Sequence, residues 1–273
     1  MKKTICIASC LTVAALAPVV ALADDAAPAP DTVNPDAAKP DAGPWSLGGS
    51  LDITSDYRFR GVSQTYGLPS IQGEFDLKHS AGFYASTAGQ NVSGNEYVGG
   101  NSEEWDFWGG YAFEVAKDVP LDFGVYEYFY PGSKTPGTLK QYNTTELYAD
   151  IGYVGVIAKF SYAVSDFFGI PSSNGSWYGD LSYNYDFTKE LHLALHVGHQ
   201  YVKANASPSL SYTDYKVGGS YDALGLNWAG AVIGTNAHKD AYTYANFTYL
   251  GAPTGPTRVV SKPTFVVTVT KSF

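Results

Sequence analysis

The sequence predicts an all-β protein, a transmembrane antiparallel up-and-down β-barrel of about twelve strands. Three observations support this fold class. Apolar and polar residues alternate along many segments, which is the periodicity of strands with two different faces. The 22 Tyr and 14 Phe residues stand against one Met, a composition that favours strands over helices. After the N-terminal signal-like segment, no apolar run reaches the roughly 20 residues that a membrane helix needs.

The N-terminal segment has the three parts of a secretory signal peptide. Lysines follow the initiating Met, an apolar stretch covers residues 4–20, and an Ala-Leu-Ala cleavage site ends at Ala23. The apolar stretch is too short and too rich in small residues for a transmembrane helix. We therefore expect Sec-type export and removal of residues 1–23, so that the mature chain begins at Asp24.

The cysteine content and the charge of the chain argue against disulfide bonds and against nucleic-acid binding. Cys6 and Cys10 are the two cysteines, and both lie within the predicted signal, so we expect a mature chain without disulfides. The residues before Cys10 loosely resemble a lipidation motif, but the apolar stretch ahead of them is too short for one. With 26 acidic against 17 basic residues, the chain lacks the basic composition of nucleic-acid-binding proteins. We therefore expect no nucleic-acid partner.

The residue composition of the chain changes at Trp45. Residues 24–44 are almost wholly Ala, Asp and Pro, which cannot bury a core, so we predict a disordered periplasmic leader there. We assign residues 45–273 to the barrel. The first predicted strand covers residues 45–60, where odd positions are mainly apolar and even positions are mainly polar or charged.

The same alternation returns along the rest of the chain. Further predicted strands cover residues 71–78, 83–90, 104–114, 121–130, 146–153, 156–162, 177–187, 191–197, 212–221, 226–235 and 263–273. The total is even, as expected of a bacterial single-chain barrel. Residues 241–249 also alternate, but one more strand would place the termini on opposite sides. We therefore assign them to the last long loop, with a 14-strand barrel as the alternative.

Turn lengths and aromatic residues predict how the barrel lies in a membrane. Connections after even-numbered strands are short and those after odd-numbered strands are mostly long, the pattern of periplasmic turns and extracellular loops. Aromatic residues gather at strand ends, where interfacial girdles lie. The predicted girdle residues are Trp45, Tyr57, Phe59, Tyr111, Phe113, Tyr183, Tyr185 and Phe187. A soluble sandwich or lipocalin-type barrel also alternates, but twelve strands enclose a lumen too wide for apolar side chains to fill.

Segments at both ends of the predicted barrel match a known family. Residues 54–65 read TSDYRFRGVSQT, residues 69–76 read PSIQGEFD and residues 79–86 read HSAGFYAS. These segments resemble the TorF family of porin-like outer-membrane proteins of proteobacteria. The ending FVVTVTKSF resembles the family's last strand and the signal by which Phe273 would direct a barrel to the outer-membrane assembly machinery. The resemblance implies an integral bacterial outer-membrane protein with a porin-like role, and it leaves the solute open.

Charged residues of the strands predict the character of the lumen. If odd positions of the first strand face lipid, even positions face inward. The predicted lumen-lining charged residues are Asp52, Asp56, Arg58, Arg60, Glu74, Asp76, Lys78, Glu104, Asp106, Glu146, Asp150 and Asp180. Further predicted inward charges are Glu114, Asp122, Lys159, Asp186, Asp214 and Lys216. Acids outnumber bases, so we expect the lumen to concentrate cations. The alternative is that the two arginines and nearby acids form structural pairs between strands.

Three histidines form an H-x3-H-x2-H pattern that would indicate a metal site on a helix. On a strand, at about 3.3 Å per residue, His192 and His196 share a face about 13 Å apart, and His199 faces the other way. Zinc ligands lie about 2 Å from the ion, so one ion cannot bridge them. We therefore expect neither a metal nor a cofactor.

No local motif of a hydrolase, a metalloprotease or a nucleotide-binding enzyme follows the signal. We predict a non-enzymatic outer-membrane channel for passive diffusion of small polar solutes, with outer-membrane lipid, the assembly machinery and the solutes as partners. Two alternatives stay open. One is an adhesin or structural barrel with an occluded lumen. The other is a barrel-embedded lipid hydrolase, because Ser and His can meet between strands without a local motif, although no His has an obvious Ser partner in the sequence.

Overall fold

A computed structural model describes residues 43–94, 97, 102–135, 139–244 and 257–273. The predicted signal peptide and almost all of the predicted leader lie outside these residues and remain predictions. Twelve antiparallel strands form one closed barrel. Their bounds are β1 Trp45–Thr54, β2 Ser70–His79, β3 Phe83–Asn91, β4 Glu103–Ala116, β5 Val119–Phe129, β6 Thr144–Tyr153, β7 Val156–Ala163, β8 Trp177–Asp186, β9 Leu191–Tyr201, β10 Tyr212–Ala223, β11 Leu226–Thr235 and β12 Thr264–Ser272.

The predicted fold class and all twelve predicted strands are confirmed. Each strand pairs with its sequence neighbours, and β12 closes the ring against β1, with Asp52 opposite Thr270. The seam continues past β12, where the backbone of Phe273 exchanges hydrogen bonds of 3.1 and 3.0 Å with Gly49. Because the strand number is even, Trp45 and Phe273 lie at the same end of the barrel as the short turns.

The outer face of the barrel is apolar and exposed. Leu51 and Phe107 each have 47% of their surface exposed, and their strand neighbours of opposite parity turn inward. Burying such side chains is favourable by about 25 cal/mol per Å² of apolar surface, so water is a poor solvent for this face. A closed barrel leaves no unpaired strand edge, which lets it reside in a bilayer. The outer surface is therefore the lipid-facing surface.

Aromatic side chains mark both rims of that surface. At the short-turn end, Tyr111 packs against Phe83 at 4.8 Å between ring centroids and against Phe113 at 5.4 Å. At the long-loop end, the Trp177 ring stacks between neighbouring aromatic rings. The hydroxyl of Tyr111 and the indole N–H of Trp177 favour the headgroup region, so these belts lie where the two membrane interfaces are expected.

The first strand is shorter than predicted. It ends at Thr54 instead of residue 60, because the chain leaves the wall and turns into the lumen. There Arg58–Phe59 pairs with Val62–Ser63 around a two-residue turn. Both turn residues, Arg60 (φ 44°) and Gly61 (φ 83°), have the positive φ that a type I′ hairpin turn requires. We call residues 55–66 the inner hairpin.

This turn places residues 55–60 outside the first strand, to which they were predicted to belong. Asp56, Arg58 and Arg60 still lie inside the barrel, but on the inner hairpin instead of β1. Tyr57 and Phe59 were predicted for the lipid-facing girdle, but both are buried inside the barrel. The period-two pattern continues through the hairpin because its arms are also extended, so alternation alone could not reveal the turn.

The connections follow the predicted asymmetry of short turns and long loops. Two to four residues separate the strands at each short turn, as between Tyr153 and Val156. In the last long loop, a short 3₁₀ turn at Lys239–Tyr242 precedes Thr243–Tyr244, which pairs with Arg258–Val259. The remainder of the strand-like segment 241–249 lies outside the described residues. Within the described ranges, no helix is long and apolar enough to cross a membrane.

Candidate functional site in the barrel lumen

The inner hairpin crosses the lumen from wall to wall. On one side, Nη2 of Arg58 donates a 2.9 Å hydrogen bond to Oγ1 of Thr264 on β12. On the other side, Nη2 of Arg60 lies 2.8 Å from Oε2 of Glu146 on β6. In a closed ring of twelve strands, β6 and β12 stand opposite one another. The hairpin therefore bridges the full width of the barrel.

The base of the inner hairpin is held by its own residues. The buried carboxylate of Asp56 accepts hydrogen bonds from Arg58 Nε at 2.7 Å and from Ser63 Oγ at 2.6 Å. The hydroxyl of Thr65 adds a longer bond to the same carboxylate and accepts one from the backbone N–H of Tyr57. These bonds join the two arms of the hairpin without involving Arg60.

The tip of the inner hairpin is held by Arg60. Its guanidinium makes a two-pronged pair with Glu146, at 3.1 and 2.8 Å, and donates to Oε1 of Gln200 at 2.6 Å. Its Cζ also lies 4.3 Å from the ring centroids of both Phe59 and Tyr178. A planar guanidinium suits such a site because it can pair with a carboxylate and stack on rings at the same time.

Side chains of the long loops fill the same end of the barrel. The ring of Phe59 meets Tyr128 and Phe168 edge to face, at 5.5 and 5.8 Å. Burial raises the pKa of Tyr242, so its hydroxyl stays neutral and donates to the carbonyl of Leu210. Other buried members are Val92, Tyr97, Tyr130, Tyr142, Phe167, Ile170, Val202, Tyr212 and Val260. The inner hairpin and these side chains together form what we call the plug.

Two predicted lumen carboxylates, Glu104 and Asp106, lie fully buried against the plug. The hydroxyl of Tyr57 donates to Glu104 at 3.3 Å, and the amide of Gln90 donates to Asp106 at 2.6 Å. The Gln90 amide also donates to the Tyr57 hydroxyl at 3.2 Å. These carboxylates anchor the hairpin to β4, so they do not line open space.

A cavity of about 460 Å³ occupies the other half of the lumen. It reaches Asp56 and Arg58 at the inner hairpin and Asp186 at the short-turn rim. The Asp186 side chain is 75% exposed, which places the mouth of the cavity at that rim. Its polar lining includes Asp52, Gln72, Asn184, His192, Lys216, Asn227, Thr268 and Thr270.

The cavity lies off the barrel axis because the two walls carry side chains of different size. Strands β9 to β11 place small residues inward, namely Ala194, Gly218, Ala229 and Ala231. The facing wall of β3 to β6 carries Tyr84, Trp108, Tyr126 and Tyr148. The rings of Trp108 and Tyr126 stack at 5.1 Å and occupy the space on their side. The open path therefore follows the small-residue wall.

The other predicted lumen charges lie on strands, and two of them, Asp52 and Asp76, contact a neighbouring strand. Asp52 accepts hydrogen bonds from the hydroxyls of Ser50 and Thr270 beside the cavity. Asp76 accepts one from Ser86 on β3. Glu74 and Lys78 flank Asp76 on β2.

Two further predicted acids share one basic neighbour. Lys159 stands directly opposite Asp150 on β6 and Asp180 on β8. Glu114 lies exposed near a short turn. With Asp56–Arg58 and Glu146–Arg60, this arrangement follows the structural-pairing alternative for several of the predicted charges.

A Ser–His–Asp arrangement inside the barrel was not found by sequence reasoning. Ser182 Oγ lies 2.9 Å from His196 Nδ1, and His196 Nε2 lies 2.8 Å from Asp214 Oδ2. A Ser–His pair between strands, which the hydrolase alternative allowed for, is therefore present, although no Ser partner was obvious in the sequence. Ser182 and His196 are direct cross-strand neighbours, a relation that only the register of β8 and β9 reveals.

The order of these groups is that of a nucleophile, a base and an acid. However, Ser182 is only 8% exposed, and its hydroxyl also lies 3.3 Å from a second carboxylate, that of Asp180. The hydroxyl of Tyr178 contacts both His196 and Asp214. The group is therefore a buried polar network that ties β8, β9 and β10 together.

The remaining histidines of the H-x3-H-x2-H pattern point in different directions. His192 lies at the short-turn rim, 2.7 Å from Asp186 and 3.1 Å from Asp222. His199 contacts Thr213 on the outer face. Among the residues that the structure describes, no group of three His, Cys, Asp or Glu side chains is arranged to hold a metal ion.

A family model matches residues 37–273 of this chain, which includes the whole barrel; its description is "Bacterial protein of unknown function (Gcw_chp)". The chain belongs to the Gcw_chp family. No curated protein matches the sequence of this Gcw_chp member.

Solved porin-type barrels are similar to this Gcw_chp chain at low sequence identity. The KdgM porin aligns with a TM-score of 0.49 at 8% identity, over 83% of this chain and 98% of that one. A FadL homologue of Pseudomonas aeruginosa aligns with 0.44 at 11% identity, over 84% and 75%. OprD of the same organism aligns with 0.39 at 10% identity, over 85% and 67%. At these values the function of the Gcw_chp chain has to be derived from its own lumen.

Proposed function

We propose that this protein is an outer-membrane channel for the passive diffusion of small polar solutes. The observation that carries the proposal is the polar cavity inside a closed barrel with an apolar exterior. A barrel that only needed a stable interior would fill this space with side chains, as the wall of β3 to β6 does. The small inward residues Ala194, Gly218 and Ala229 instead leave this cavity open along one wall.

We further propose that the channel prefers cations. Three acids, Asp52, Asp56 and Asp186, line the cavity against the two bases Arg58 and Lys216, and the hydroxyls that bind Asp52 are neutral, so its charge acts on the cavity. Arg58 also lines the cavity, but it is paired with Asp56 at 2.7 Å. Arg60 is likewise paired with Glu146, so the two arginines do not form a strong anion-attracting site.

The cellular location forms part of the same proposal. The chain is exported by the Sec route, loses its signal near Ala23 and keeps residues 24–44 as a periplasmic leader. Phe273 at the end of β12 then delivers it to the outer-membrane assembly machinery. The match of residues 54–65 to the TorF family supports a porin-like, non-enzymatic role in that membrane.

Conductance of the refolded protein in planar lipid bilayers tests the channel directly. Because both cysteines lie in the predicted signal, the mature chain offers a thiol-free background. In Ala194→Cys, on the cavity wall, a charged methanethiosulfonate reagent should reduce the conductance. In the matched control Val197→Cys, on the lipid face of the same strand, it should not. Absence of conductance, or equal block in both variants, would contradict the proposal.

The plug favours a second candidate, a structural or adhesive barrel without a through path. In that case the refolded wild-type protein should form no channel at all. The buried Ser182–His196 pair is the observation that favours a third candidate, a lipid hydrolase. A fluorophosphonate probe would label a nucleophilic Ser182 and not Ser182→Ala; we expect no labelling, because the hydroxyl is buried in its network.

A further inference from the structure

The inner hairpin is held at its base and at its tip, and a 2.9 Å hydrogen bond from Arg58 to the carbonyl of Gly61 also links the two. Its base is closed by the Asp56 carboxylate, which binds Arg58 and Ser63. Its tip is fastened to β6 and β9 by Arg60, through Glu146 and Gln200. Loss of the tip contacts would therefore leave the base of the hairpin intact.

The tip adopts a backbone conformation that needs outside support. Arg60 has a φ of 44°, a region that residues with a side chain rarely occupy, and such a conformation persists only where surrounding contacts enforce it. Gly61 follows with a φ of 83°, and a Cβ there would lie 2.5 Å from Cγ2 of Thr235 and 2.8 Å from the Cβ of Asp214. The tip is therefore seated closely against β10 and β11, and the Arg60 contacts fasten it on the other side, to β6 and β9.

The position of the tip decides how far the cavity extends. The cavity ends at Asp56 and Arg58, where the hairpin begins, and beyond them the plug fills the long-loop half of the lumen. Arg60 lies between the hairpin and the walls formed by β6, β8 and β9. If the tip moved away from those walls, the cavity would continue toward the long-loop end.

We infer that Arg60 is the positioning residue of the inner hairpin and thereby sets the width of the solute path. This inference rests on the proposed channel function. Arg60 acts through the hairpin, so it need not contact the solute. The planar guanidinium of Arg60 is needed to position the hairpin in this way. A lysine ammonium cannot pair with both oxygens of Glu146 and donate to Gln200 in the same geometry.

The first experiment compares single-channel conductance in planar bilayers. Arg60→Ala and the near-isosteric Glu146→Gln should raise the conductance severalfold, and Arg60→Lys should give an intermediate value. The exchange Arg60→Glu with Glu146→Arg should return the conductance toward wild type. Leu147→Ala, on the lipid face beside Glu146, should behave like wild type. Retention of the folded band on unheated detergent gels verifies that each variant forms the barrel.

A second readout follows the hairpin without relying on conductance. Ser161 is 2% exposed and stands directly opposite Tyr178, the ring on which Arg60 stacks. A thiol at Ser161→Cys should react slowly with a charged reagent in the wild-type background. With Glu146→Gln, local opening should raise the rate by about tenfold or more.

The two readouts separate the inference from the proposed function. Higher conductance together with faster thiol reaction supports both. A faster thiol reaction without conductance in any variant, including the wild type, overturns the channel and leaves the positioning role of Arg60 supported. Unchanged conductance with a thiol still protected in folded Glu146→Gln and Arg60→Ala overturns the inference.

Discussion

Arg60 and Glu146 form an ion pair that is almost completely removed from water. The Coulomb energy of such a pair roughly offsets the cost of taking both charges out of water, but removal of one partner leaves the other charge uncompensated. We expect Glu146→Ala to lower the free energy of unfolding by about 3–5 kcal/mol. Urea titration of the refolded barrel in lipid vesicles, followed by aromatic fluorescence, measures this change.

Two comparisons separate the charge effect from lost packing. Leu147→Ala, the outward neighbour of Glu146, should cost much less than Glu146→Ala because it leaves no buried charge. The double substitution Arg60→Met with Glu146→Leu should recover part of the loss, since it removes both charges together. A double variant as unstable as Glu146→Ala would mean that the unpaired charge is not the cause.

For individual residues, the sequence indicated which side chains carry charge but not which partners they bind. Arg60 was expected on a strand face, whereas its partners Glu146 and Gln200 lie 86 and 140 residues away on other strands. The Ser182–His196 contact depends in the same way on the register between β8 and β9. Such pairings arise from closure of the barrel and leave no local pattern in the sequence.

The alternation within each strand has a direct energetic consequence. Leu51 faces lipid on β1, and its neighbour Asp52 faces the cavity. Near the bilayer midplane, an outward arginine costs about 2–4 kcal/mol, so Leu51→Arg should be destabilised by that amount. Asp52→Arg places its charge in the polar cavity and should cost less. Refolding titrations in lipid measure both, and equal costs would contradict the assignment of the two faces.

Two further outward positions can be tested in the same way, but one inward position cannot serve as their control. Phe107→Lys and Leu193→Lys should behave like Leu51→Arg, because all three positions lie on the outer face. Asp106 is not a suitable inward control, since it is fully buried against the plug. Its replacement would disturb the Gln90 and Tyr57 contacts as well as the lumen charge.

The last strand should control assembly. Phe273 carries the terminal aromatic side chain, and its ring packs 6.0 Å from that of Phe75 while its backbone pairs with Gly49. Deletion of Phe273 therefore removes both the predicted assembly signal and part of the barrel seam. We expect less protein in the outer membrane and more in the periplasm, measured by cell fractionation. Normal outer-membrane levels of the truncated chain would argue against the predicted signal.

The elements that the sequence predicted best are those with a simple physical signature. Alternation located all twelve strands, because a strand between lipid and a polar lumen must alternate. It failed at residues 55–60, where the extended arm of the inner hairpin keeps the same period. Gly61 after Arg60 could have predicted the turn, since a glycine at the second central position suits a type I′ turn.

The plug also could not be predicted from the sequence. Most of its members come from loops with no shared periodicity, and they meet only because the closed wall brings the loops together. The cavity, in contrast, has a signal that becomes readable once the strand register is known. Ala194, Gly218 and Ala229 are small residues at inward positions of three consecutive strands, which predicts free space beside them.

For the whole molecule, the charge of the cavity should control ion selectivity. Wall charges act over a Debye length of about 8 Å at physiological salt, so Asp52 and Asp186 should be felt across the path. We expect a reversal potential in a KCl gradient that indicates cation preference and declines at high salt. Asp52→Asn with Asp186→Asn should reduce the preference, whereas Asp118→Asn, at a short turn, should not. Anion selectivity of the wild type would refute the proposed preference.

Closure of the wall joins the two ends of the mature barrel sequence. At that seam, Thr270 binds Asp52 across a separation of 218 residues. A barrel without β12 cannot make this contact, and its wall would then have two open edges, at β1 and β11. Such edges invite pairing with other chains, which a closed ring no longer permits. Pairing of β12 with β1 therefore protects the barrel against aggregation as well as closing its lumen.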